Sequence, residues 1–86
     1  MSLSAEQIKN FNKIVREVSK VYKGARTNYF GLKGDVLQVN ITISKFALPK
    51  DKNEILAIFK NNGMKKIRAI SQPGAGAGII IQGVDQ

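Results

Sequence analysis

Residues Leu37 to Ser44 read Leu-Gln-Val-Asn-Ile-Thr-Ile-Ser, an unbroken alternation of apolar and polar side chains. Successive side chains of a β-strand point to opposite faces, so a period of two marks a strand buried on one side only. Leu37, Val39, Ile41 and Ile43 form the buried edge of that pattern. Gln38, Asn40, Thr42 and Ser44 form a second edge that is polar yet uncharged. A strand of this kind needs paired neighbours on either side and a cover over its apolar face. The remainder of the chain supplies both.

Ser4-Ala5-Glu6-Gln7 fits a capping box, with Ser4 as N-cap and Gln7 at the third helical position. Ile8, Phe11, Val15, Val18 and Tyr22 then recur at spacings of three and four, the apolar face of an amphipathic helix from about Ala5 to Lys23. Gly24 suits its C-terminal cap. Arg26 to Lys33 reads as a strand with Phe30 and Leu32 on its buried side, and Gly34-Asp35 as a tight turn into the alternating strand. A second helix begins either at a capping box over Asp51 to Glu54 or earlier, with Pro49 at its first position. Ile55, Leu56, Ile58 and Phe59 give it a buried side, and Asn62-Gly63 ends it. Lys65 to Ser71 reads as a third strand, with Ile67 and Ala69 inward and Lys66 and Arg68 outward. A glycine-rich stretch leads to a fourth strand, Gly78 to Val84.

The expected fold is α+β: an αββαββ two-layer sandwich, one domain over residues 1–86, with an antiparallel four-stranded sheet and both helices on one face. Its two helix-plus-hairpin units are an architectural repetition without residue identity between them. An open sheet edge makes a homodimer conceivable through strand addition.

Charge is the most informative part of the composition. Fourteen Lys and Arg against six Asp and Glu leave the 86-residue chain at +8. In so small a domain this is a strong field favouring polyanions. Much of it is ordered: Lys9, Lys13, Arg16, Lys20 and Lys23 are spaced 4, 3, 4, 3, one narrow stripe of the first helix. Like charges so spaced repel mildly, so the stripe is either a solvated lysine face or a ridge for phosphates or an acidic partner. Lys66 and Arg68 add a second basic group, on the opposite side of the expected sandwich. Tyr29 is the aromatic residue best placed to stack a base on the outer sheet face, beside the platform of Gln38, Asn40 and Thr42.

Other chemistries find little support. The chain has no Cys, His or Trp, so no disulfide scaffold, no expected zinc site and no imidazole shuttle. No cofactor is expected. Gly74, Gly76 and Gly78 suggest a phosphate loop, but the element that follows is a strand of isoleucines, whereas such loops open a helix. A hairpin wing able to approach a partner closely is the alternative. The six acids occupy helix starts, a turn and the C-terminus, and form no nucleophile–base pair, so no enzyme is expected. No apolar run approaches a membrane span, and no signal-like segment opens the chain, so the expected location is cytoplasmic, that of a host cell if the protein is virus-encoded.

Two functions remain. The first is binding of DNA or RNA through phosphate contacts made by the helix stripe, Lys66, Arg68 and the glycine wing. The second is a protein-binding inhibitor or adaptor, a small phage- or plasmid-type regulator docking on an acidic partner surface.

Overall fold

A computed structural model of the chain describes residues 3–72, 74 and 78–86. The element order is α1 (Ala5–Val21), β1 (Arg26–Leu32), β2 (Val36–Ser44), α2 (Pro49–Asn61), β3 (Lys65–Ser71) and β4 (Gly78–Val84). The strands form one antiparallel sheet in the order β1-β2-β4-β3, so the second strand of each unit is central and the first is an edge. The units meet along the β2–β4 seam, where Ile41 faces Ile81. Both helices cover one face, giving the expected α+β sandwich.

The alternation of β2 is fully realised: Leu37, Val39 and Ile41 are inaccessible and Ile43 nearly so. Ile79 and Ile81 of β4 join them beneath Phe11, Ile14 and Val18 of α1 and Ile55, Ile58 and Phe59 of α2. Gly83 belongs to this face because a Cβ there would crowd the Phe59 ring at 2.9 Å. The α1 stripe is centred on Phe11, Ile14 and Val18, with Val15 and Tyr22 only half-buried, so Ile14 belongs at the centre of the apolar face expected from the spacing.

The capping box forms, with Gln7 N–H donating to Ser4 Oγ at 3.1 Å and Ser4 N–H donating to Gln7 Oε1 at 2.7 Å. Gln7 has a second task. Its Nε2 donates to the Asp35 carbonyl in the first hairpin turn and to Asp85 Oδ2, both at 2.8 Å. Asp85 in turn accepts from Leu37 N–H. One amide thus ties the start of α1 to the hairpin turn and the end of β4.

Two local expectations are corrected, and the alternative left open for the second helix is decided. Helix α1 ends at Val21, not Lys23: Tyr22 is already extended, and its hydroxyl accepts from Ser44 N–H at 3.2 Å. Lys23 therefore leaves the helical stripe, and Gly24, at φ +86°, turns the chain towards β1. Helix α2 takes the earlier start, with Pro49 at its first position and Asp51 Oδ2 accepting from Leu48 N–H.

The second correction concerns β1. The turn between the first two strands holds three residues, Lys33 to Asp35, because Leu32 pairs with Val36. Phe30 then lies opposite Gln38, and Tyr29 opposite Val39. Phe30 and Leu32 therefore face away from the helices. Tyr29 faces towards them, its ring 4.7 Å from that of Phe11. A one-residue change of register moves every side chain to the other face.

Among the described residues, no helix is long and apolar enough to cross a membrane.

Candidate nucleic-acid interface

The sandwich separates the basic residues into two surfaces. On α1, Lys9, Lys13, Arg16 and Lys20 are exposed and point directly away from the buried stripe of Phe11, Ile14 and Val18. Lys23 is exposed beyond the helix end. Lys9, Lys13 and Arg16, with Glu6 and Asn10, border a shallow depression of about 210 Å³. The ridge carries no aromatic side chain.

The second surface is the sheet face left open by the helices. The registers place Arg26, Asn28 and Phe30 of β1 beside Thr42, Asn40 and Gln38 of β2. These β2 residues lie beside Ile80, Gln82 and Val84 of β4, and Gln82 and Ile80 lie beside Arg68 and Ile70 of β3. The middle row, Asn28–Asn40–Gln82–Arg68, crosses all four strands. At the usual strand spacing it is roughly 14 Å long.

Hydrogen bonds link Asn40, Gln82 and Arg68 of this row. Asn40 Oδ1 accepts from Gln38 Nε2 at 3.1 Å and from Gln82 Nε2 at 3.3 Å. Gln82 Oε1 accepts from Arg68 Nε at 3.2 Å. The Arg68 guanidinium is thereby held through Nε, which leaves the four N–H donors of its two terminal nitrogens for a ligand. An oriented fork of this kind suits a phosphate or carboxylate.

Lys66 reaches the same surface through a bulge. Lys65 pairs with Val84 and Arg68 with Gln82, so three steps along β3 answer two along β4. Lys66 takes up the extra residue at φ +53°, in the left-handed region that side chains other than Gly seldom enter. The bulge re-aims the strand, and Lys66 and Arg68 together line a depression of about 280 Å³ with Gln38, Gln82 and Val84.

Lys66, Arg68, Gln38, Asn40 and Thr42 are thus brought together on one face, whereas Tyr29 lies on the other side of the sheet. The aromatic residue on the open face is Phe30, 46% exposed. Sequence reasoning set it on the buried side, and the length of the turn that follows β1 is what decides otherwise. Arg26 was passed over. It flanks the row at one end and borders a depression of about 370 Å³ with Lys45, Phe46 and Gly78.

Of the glycine wing, Gly74 and Gly78 are described, and Gly76 lies outside the described residues. Gly78 is required structurally: a Cβ would fall on the Ile43 carbonyl oxygen across the β2–β4 pair.

No strand contains Asp or Glu. Four of the six acids have partners elsewhere: Glu17 accepts from Asn62 Nδ2, Asp51 caps α2, Asp85 joins Gln7 and Leu37, and Glu54 lies 3.9 Å from Lys50. That last contact, exposed on α2, is the one ion pair among the described residues. The cations of the open face therefore meet no carboxylate.

Comparison of the chain with protein-family models, curated proteins and solved structures finds no match in any of the three.

Proposed function

We propose that the protein is a nucleic-acid-binding module that engages its ligand through phosphate contacts on the open face of the sheet. One observation carries this reading: Arg26, Lys66 and Arg68 stand on a sheet whose four strands contain no carboxylate. Uncompensated cations on a broad surface favour a ligand with repeated negative charge. The α1 ridge adds to the long-range field from the opposite side of the domain.

Three phosphate contacts to a single strand predict a slope of about −2 for the logarithm of the binding constant against the logarithm of salt concentration. Titration of single-stranded DNA, single-stranded RNA and duplex DNA at two salt concentrations measures it. A flat response, or no binding at low salt, rejects the proposal.

An acidic protein surface is the second reading. It is favoured by the segment after β2, where Phe46 and Leu48 are 81% and 63% exposed beside Lys45. Under that reading Phe46→Ala disrupts a nuclease-resistant one-to-one complex and leaves affinity for nucleic acid unchanged.

A further inference from the structure

We infer that the open face is a track for single-stranded nucleic acid, on which Phe30 stacks a base and the Asn28–Asn40–Gln82–Arg68 row contacts base edges and backbone. This rests on the nucleic-acid reading above and goes beyond it, since phosphate contacts alone would not distinguish a single strand from a duplex.

Three features select the single strand. The first is Phe30, an aromatic ring 46% exposed on the face left open by the helices, beside the Gln38 amide. Bases in a single strand are free to stack on such a ring, whereas those of a duplex are already stacked on each other. The second is shape. The row is borne on a sheet and carries side-chain amides with both donor and acceptor atoms. Base edges complement such amides, but in a duplex they lie inside grooves that a sheet face of this breadth does not enter. The third is the placing of charge. Arg26 and Phe30 stand on edge β1, and Lys66 and Arg68 on edge β3, with the amides of Gln38, Asn40 and Gln82 between the two edges. A strand crossing the sheet therefore meets a cation at each edge and the amides between them.

A second copy of the chain is the competing occupant of the face. Face-to-face pairing would set Arg26, Lys66 and Arg68 against the same residues with no acid from any strand to offset them. Charge complementarity thus favours the polyanion.

The chain has no Trp, so Phe30→Trp installs a single reporter at the proposed stacking position. The probes are ten-nucleotide oligothymidylate, the corresponding ten-nucleotide oligouridylate and a ten-base-pair duplex. The expected result is strong quenching of Trp emission on saturation with either single strand, a preference for single strand over duplex, and a loss of about five- to a hundredfold for Phe30→Ala. The two single strands separate DNA from RNA preference, and tight binding of either supports the track. Undiminished emission at saturation, or equal affinity for duplex, overturns the track while leaving phosphate-driven binding standing. Absence of binding to all three probes at low salt overturns both. Dimerisation that sedimentation shows to be abolished by Phe30→Ala assigns the face to a second copy and overturns the track. Phe30 lies on an edge strand and is half-exposed, and an unchanged thermal midpoint for both variants establishes that the fold is intact.

Discussion

The α1 ridge and the open sheet face are both basic, and they lie on opposite sides of one small domain. The ridge has more charge: four cations along the helix and Lys23 just beyond it. The sheet face has more structure. Its guanidinium is tethered by Gln82, its amides are ordered around Asn40, and a bulge brings a lysine into place. Lysines on a solvated helix retain their side-chain freedom and must lose it on binding, whereas a guanidinium held by a neighbour has already lost much of it. Charge density and preparedness for a ligand are therefore separate properties, and this molecule divides them between its two sides.

The sharpest way to break that comparison is to reverse charge on each side in turn. Arg26→Glu with Arg68→Glu should lower affinity for a single strand by at least about a hundredfold at low salt, as two charge-assisted contacts are lost. The salt slope should fall in magnitude by about 1.4. The matched pair Lys9→Glu with Lys13→Glu removes the same net charge and should cost roughly tenfold or less, through the long-range field alone. Equal losses from the two pairs, measured by fluorescence anisotropy, would show that only total charge matters.

A smaller effect tests whether the amide row is prepared in advance. Asn40→Ala removes the acceptor shared by Gln38 and Gln82 and should cost about 1 kcal/mol of stability in denaturant unfolding. The affinity loss should be a fewfold, since Arg68 is then held through a Gln82 that has lost its own anchor. An unchanged affinity would mean that the row is incidental to binding. The smallest effect lies on the ridge. Arg16 has Lys13 and Lys20 as its helical neighbours and no acid at either spacing. Arg16→Glu turns two repulsive pairs into attractive ones and should stabilise the domain by about 0.5 kcal/mol, read from the thermal midpoint. Destabilisation would show that Arg16 has a structural partner.

The contrast between β2 and β1 shows how far the sequence reaches. In β2 every second residue is strongly apolar, so one face is specified and the structure follows it without exception. In β1 both faces are mixed: Thr27, Tyr29 and Gly31 on one, Arg26, Asn28, Phe30 and Leu32 on the other. Pattern alone does not decide between them. A two-residue turn at Gly34-Asp35 would set Leu32 opposite Leu37 and bury Phe30, whereas the observed three-residue turn reverses both. The element order and layer arrangement follow from strong local periodicities. The composition of the open face depends on one residue of turn length, which Gly34-Asp35 fits at either length, and on a bulge at Lys66, which carries no glycine. The role of Asp85 is hidden for a related reason, since its partners Gln7 and Leu37 are far away in the chain.

The bulge in β3 has one more consequence. An edge strand is a template for another chain only while its free N–H and C=O groups keep an even rhythm. Edge β1 keeps that rhythm over all seven residues, Arg26 to Leu32. Edge β3 breaks it with an extra residue, a left-handed kink at Lys66 and flanking positive charge. A sheet with one receptive border can be extended once and then presents only unreceptive ones. Any border-to-border association of this chain therefore terminates at two copies, and growth into a filament, which needs a receptive border at each end of every unit, is blocked by the same residue that turns Arg68 outward.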